Sequence, residues 1–179
     1  MNDMGGLAFE DLKVDDFWQS ESREILASDL TEFAELTGDR DPLHTDADFA
    51  ANTPFGEPIA HGLLGLSFMA GLSSNCPRVQ TIAFVSIQEW QFLKPIFVHD
   101  KIHVETKVLE VIDHGRRHGK VVWQRQVVNQ NGQVVQQGNL TTLVTRRNVS
   151  TRRIDPPQKT TEMPHLRAEP SVTQDHSRQ

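Results

Sequence analysis

The stretch that decides the fold covers residues 37–72: Thr37-Gly38-Asp39-Arg40-Asp41-Pro42-Leu43-His44-Thr45-Asp46-Ala47-Asp48-Phe49-Ala50-Ala51-Asn52-Thr53-Pro54-Phe55-Gly56-Glu57-Pro58-Ile59-Ala60-His61-Gly62-Leu63-Leu64-Gly65-Leu66-Ser67-Phe68-Met69-Ala70-Gly71-Leu72. Asp39, Asp41, His44 and Asp46 crowd around Pro42. His61-Gly62 then opens an almost wholly apolar segment, residues 63–72. A helix apolar on nearly every side is expected to be enclosed, not laid on a surface. Gly65 and Gly71 lower its intrinsic propensity, so tertiary packing has to hold it. A titratable loop followed by such a helix is the pattern of an acid/base site set against the end of a core element.

Working outward, residues 1–15 read as a loose lead-in and 17–26 as a first strand. Ser28 is the expected N-cap of a helix whose Leu30, Phe33, Ala34 and Leu36 share one face. Gly38 ends it. Residues 46–52 suit a short helix, and Pro54, Gly56 and Pro58 enforce an irregular stretch. From about 79 to 147 the chain alternates as strands. Pro95 ends the first of them. His114 to Gly119 forms a turn, and Asn131-Gly132 is a hairpin signal. The expected architecture is α+β, a long antiparallel meander curled around the apolar helix. Its open edges predict pairing with a second copy.

After Arg147 the pattern stops. Residues 148–179 carry Pro156, Pro157, Pro164 and Pro170 among polar residues, with little apolar surface to bury, and are expected to be disordered. Arg146, Arg147, Arg152 and Arg153 read as a solvated basic cluster.

With 179 residues, 37% of them hydrophobic, the chain suits one domain and a tail. A net charge of −6 without a basic stripe argues against nucleic acid and anionic membrane as partners. Cys76 is the only cysteine and cannot form an internal disulfide, which fits a reducing cytoplasm. No segment reads as a signal peptide or membrane span.

Asp39 and His44, bent around Pro42, are placed to face one pocket. A histidine exchanges protons near neutral pH, and a carboxylate can hold the same water. Alone, such a pair more often serves as caps, turn bonds or solvated groups. The first N–H groups of a helix lack intrahelical partners and suit a developing oxyanion. Gly62, without a Cβ, permits close approach. His61 and Gly62 also suffice simply to turn the chain into the helix. Asp39-x-Asp41 begins like a calcium loop, but Leu43 stands at the third ligand position. His99 and His103, and His114 and His118, read as solvent-facing. Ser67 is expected to bond back along its helix. No Gly-x-Ser-x-Gly, Walker loop or dinucleotide fingerprint is present.

The run from Gly38 to Asp46, with Phe55-Gly56-Glu57-Pro58-Ile59-Ala60-His61-Gly62, closely resembles the MaoC-like hydratases, the (R)-specific enoyl-CoA hydratases of the hot-dog fold. Phe92-x-x-Pro95-x-Phe97-Val98-x-Asp100 resembles that family's strand-to-strand stretch. The resemblance covers about residues 10–147, so residues 16–147 are expected to be the hot-dog domain. It implies a curled antiparallel sheet around a central helix, as a homodimer or higher homo-oligomer. It implies syn hydration of a trans-2-enoyl thioester, carried by CoA or an acyl-carrier protein, with no cofactor and no metal. By motif position Asp39 and His44 activate the water, and the Gly62 N–H is the oxyanion donor. Asp41, where the family often has Asn, and His61 support them. The rival readings are a hot-dog acyl-CoA thioesterase and a non-catalytic acyl-thioester-binding module. Leu63, Leu66, Phe68 and Trp90 are candidates for the wall of an acyl tunnel.

Overall fold

The computed structural model describes residues 5–147. Strands β1 (Phe17–Gln19), β2 (Arg23–Glu24), β3 (Thr81–Phe92), β4 (Lys101–Asp113), β5 (His118–Val128) and β6 (Val134–Thr145) form one antiparallel sheet. Their order is β1-β4-β5-β6-β3, with β2 pairing the start of β4. Alternation sends Ile102, Val104 and Val108 of β4, and Val121, Trp123 and Val127 of β5, to one buried face. Against that face lies helix α4 (Gly62–Leu72). Its Leu64 and Met69 join Ile25, Ile102, Trp123 and Leu140 in the core. Each such side chain contributes about 1.5–3 kcal/mol by leaving water. Helices α1 (Ala27–Thr37), α2 (Pro42–Thr45) and α3 (Ala47–Ala51) occupy the chain between β2 and α4.

The sheet is not one continuous meander. β3 pairs β6 at the far edge, while β4 lies between β5 and β1. Hydrophobic alternation marks strands but carries no information on which pair.

Helix α4 is not enclosed within one chain. Leu64, Gly65 and Met69 are buried, but Leu63 is 59% exposed and Ser67 is exposed. The neighbouring edge strand β3 is open too, with Ile82, Phe84, Val85, Ile87 and Phe92 all exposed. The expected bond from the Ser67 hydroxyl to the Leu63 carbonyl is present, at 2.8 Å.

The lead-in is not loose from Gly5 onward. Residues Phe9–Asp11 form a short 3-10 helix, and Phe9 and Leu12 belong to the core. The Phe9 ring lies where a Cβ on Gly119 would stand, so the two positions fit only as a pair. The expected single strand over 17–26 is two short ones, β1 and β2. Leu26, not Ser28, is the N-cap of α1, because the Asp29 carboxylate folds back to accept from the Leu26 N–H at 2.8 Å.

Arg146 and Arg147 are not merely solvated. Arg146 pairs with Asp113 at 2.7 Å and reaches Glu10 at 3.8 Å, and Arg147 pairs with Asp11. Arg152 and Arg153, and the expected disorder of 148–179, lie outside the described residues. His99 bonds Glu24 at 3.0 Å, and His103 stands 3.7 Å from Glu105.

Candidate active site

Three short devices shape the loop. Gly38 sits at φ +79°, a left-handed conformation open to glycine, and closes α1 with its N–H on the Ala34 carbonyl. Asp41 accepts from the Leu43 N–H at 2.9 Å and caps α2, with Pro42 in the first turn, where no N–H is missed. Asp46 accepts from the N–H groups of Asp48 and Phe49 at 2.9 and 3.0 Å and starts α3. Two of the three loop carboxylates therefore serve as caps. Asp39 accepts only a long bond, 3.4 Å, from the Asp41 N–H.

His44 rides on the single turn of α2. Its Nδ1 donates to the Ile59 carbonyl at 2.7 Å, which leaves Nε2 of the neutral ring as a free acceptor. His61 is buried and donates from Nε2 to the Asp39 carbonyl at 3.0 Å. Its Nδ1 is sealed and has no partner. The rings of His44 and His61 lie 4.0 Å apart, with Phe33 against His61 at 5.0 Å. The structure thus brings Asp39, His44 and His61 together, each with one ligand atom within 4.8 Å of the others. Asp39 and His44 suit a shared water, whereas His61, with Nε2 donating to a carbonyl and Nδ1 sealed, offers it no lone pair. Asp41 stands apart from this group as a cap, and His61 acts on it by anchoring the Asp39 backbone.

His61 is also the N-cap of α4. Its carbonyl accepts from the N–H groups of Leu64 and Gly65 at 3.0 and 3.2 Å. Among the described residues the N–H groups of Gly62 and Leu63 have no acceptor. A Cβ on Gly62 would lie 3.0 and 3.1 Å from two atoms of the Phe92 ring, so glycine keeps this approach open.

A cavity of about 340 Å³ joins His44 and Gly62 and is walled by Phe55, Phe92, Pro95, Ile96 and Gln136. A larger one, about 460 Å³, borders His44 from the α1 side with Arg40 and Val98 but does not reach Gly62. The smaller cavity therefore joins His44 to the start of α4, while Asp39, expected to face the same pocket, is exposed and borders neither cavity. None of Leu63, Leu66, Phe68 and Trp90 borders the smaller cavity. The sequence reading missed Gln136, which is 2% exposed. Gln136 donates from Nε2 to the Gly62 carbonyl at 3.1 Å and accepts from Trp90 Nε1 at 3.3 Å. A glutamine among the buried residues of β6 was the available signal.

A curled antiparallel sheet around one helix, with the functional groups at that helix's N-terminus, is the hot-dog fold. The profile of the MaoC like domain matches residues 13–131. The chain belongs to the MaoC-like dehydratase family. It is 39% identical over 112 residues to a 3-hydroxybutyryl-CoA dehydratase of Methylorubrum extorquens, covering 62% of this chain and 69% of that one. It is 31% identical over 140 residues to an (R)-specific enoyl-CoA hydratase of Rhodospirillum rubrum, covering 78% and 92%. Among solved structures, a MaoC-like dehydratase from Rhodospirillum rubrum superposes with a TM-score of 0.73 at 28% identity, covering 80% of this chain and all of that one. The chain's share of the curated relatives' length runs from 29% to 92%. No described helix is long and apolar enough to cross a membrane.

Proposed function

We propose that this chain is a hydro-lyase that adds water, reversibly and syn, to a trans-2-enoyl thioester, giving the (3R)-hydroxyacyl thioester. One observation carries the reading. His44, with Nε2 free, shares one cavity with Gly62, whose N–H has no acceptor among the described residues, and Asp39 has a carboxylate oxygen within 4.8 Å of a His44 ring nitrogen. The names of the relatives support it.

The thioester carbonyl oxygen accepts from the Gly62 N–H, where the dipole of α4 favours negative charge. A water held by the Asp39 carboxylate gives its proton to His44 Nε2 as its oxygen bonds to C3. The electron pair of the double bond moves to C2 and is delocalised onto the carbonyl oxygen. The proton on His44 then passes to C2, so OH and H both come from one water on one face. The His44–Ile59 bond holds the ring in the tautomer this requires. His61, by holding the Asp39 backbone, is a positioning residue.

The working form in this reading is a homodimer. Edge strand β3 exposes apolar side chains on both faces beside the exposed Leu63 of α4, and a second copy would cover both. Residues 16–147 form the catalytic hot-dog domain in this reading, and the acyl carrier is CoA or a carrier protein.

The test is loss of enoyl-thioester absorbance with crotonyl-CoA. Asp39→Asn and His44→Ala each slow turnover by at least about a hundredfold, the usual worth of a positioned acid or base. Full activity in either folded variant removes that residue from the mechanism. Release of free thiol without a 3-hydroxy product would make the chain a thioesterase instead.

A further inference from the structure

At the opposite end of α4 from Gly62 lies a polar feature that hydration does not use. Within β5, Arg125 occupies a position on the buried face between Trp123 and Val127. It is 7% exposed. Its Nη1 donates to the Ser73 hydroxyl and stands 3.7 Å from Met69 Sδ, while Nε is sealed without a partner. Among the described residues no carboxylate pairs with it. Burial alone pulls its pKa down to about 10. Directly across the β4–β5 ladder stands Thr106, whose buried hydroxyl also lacks a partner.

The guanidinium borders a cavity of about 140 Å³, together with Ser73, Ser74, Trp123, Thr142 and Phe84. At roughly 30 Å³ per water, that is room for four or five waters, or for a carboxylate with a short carbon chain. Ser73 is the C-cap of α4, so carbonyl dipoles of the helix end lie nearby and offset part of the charge. That accounts for Nη1 and leaves Nε and Nη2 of a planar, charged fork without an acceptor among the described residues. A carboxylate matches such a fork in shape and sign.

We propose that this cavity is a carboxylate-binding site anchored by Arg125, with the hydroxyls of Ser73 and Thr142 beside it. The carboxylate comes either from the far end of the acyl group or from a free small acid. The first source rests on the hydratase and dimer readings above. Within one chain α4 separates the cavity from Gly62 by about 16 Å, eleven residues at roughly 1.5 Å each. Two β3 strands related by a two-fold axis pair antiparallel. The Thr81 end of one, which borders the Arg125 cavity, then lies beside the Phe92 end of the other, which borders the hydration cavity. The carboxylate of a short dicarboxylic acyl group would bridge that junction.

Two arms test this on the full chain. In the first, acetate and succinate are titrated into wild type and Arg125→Met by calorimetry, with chloride at matched ionic strength as the control; Arg125→Lys replaces Met if that variant does not fold. Saturable uptake in wild type, weakened at least about tenfold in the variant, is the expected loss of a charged hydrogen bond and identifies a free acid as ligand. In the second, kcat/KM is compared for crotonyl-CoA and for 4-carboxybut-2-enoyl-CoA. A fall of at least about tenfold in the carboxylate-to-methyl ratio on Arg125→Met identifies the acyl group as the source. If neither thioester is hydrated, the reading of the chain as a hydratase of short CoA thioesters fails and the titration alone decides the site. Absence of Arg125-dependent uptake, with an unchanged ratio wherever there is turnover, overturns the proposal.

Discussion

Arg125→Met should make the unliganded protein more stable. The side chain is almost fully buried, and desolvation pulls its pKa down to about 10. At 1.36 kcal/mol per unit, the charged form carries a penalty on the order of 3 kcal/mol in the folded state. Methionine has a similar unbranched shape and packs against Met69 and Trp123 without a charge. The change removes the bond to Ser73, worth about 1 kcal/mol. The Ser73 hydroxyl is not orphaned, because it also donates to the Met69 carbonyl at 2.7 Å. The net expectation is about 1–2 kcal/mol of stabilisation, or a rise in Tm of roughly 3–8 °C for a unit of this size. Urea or thermal unfolding at pH 7 measures it, at fixed protein concentration and in a buffer free of carboxylates. The pH dependence supplies an internal control. The folded state releases the Arg125 proton before the unfolded state does, so from about pH 10 upward the unfolded state binds more protons. Wild-type stability therefore gains on the variant as pH rises through 10, and the gap narrows. A variant less stable than wild type by more than about 1 kcal/mol at pH 7 would refute the reasoning, because the guanidinium would then be a net structural support of the α4 terminus.

Three further outcomes follow from the geometry. Gly62→Ala keeps the N–H but adds a methyl about 3.0 Å from the Phe92 ring, so kcat/KM falls at least about tenfold with stability within roughly 1 kcal/mol, and Phe92→Leu in the same chain restores part of the rate; unchanged kinetics would remove Gly62 from the site. For the proposed dimer, Val85→Asp or Ile87→Asp on β3 shifts the sedimenting species from dimer to monomer and lowers activity, whereas a dimer unchanged by them would place the interface elsewhere and a monomeric wild type would remove the dimer reading. Asp11, bonded by Arg147 and by the Ala8 N–H, has its pKa held below the usual carboxylate range. Its contribution is present above the unfolded pKa and is lost as pH falls through the folded one, so Asp11→Asn flattens the acid limb of the Tm profile; the effect shrinks in 1 M salt, where the Debye length is about 3 Å.

Much of the site was legible because its chemistry is local. Asp39 and His44 lie five residues apart, and Pro42 between them starts the one-turn α2 that carries His44. Only the structure separates the spent carboxylates, Asp41 and Asp46, which cap α2 and α3, from Asp39. The bond from His61 Nε2 to the Asp39 carbonyl was not legible, since it joins positions 22 residues apart through a fold the pattern does not specify. Arg125 stands between inward Trp123 and Val127 on β5, a visible anomaly, but Gln136 lies on the polar-rich β6, and the partners of both, Ser73 and Gly62, come from a distant helix.

The sequence by itself determined the element types, because apolar period and turn residues are local properties. It also determined the family, because the loop and helix-start motif is contiguous. Strand order, the exposed side of α4 and the lone guanidinium beneath its C-terminus were decided only by the tertiary structure. Pairing across the sheet and burial of a charge are set by which surfaces meet, and no local period records that.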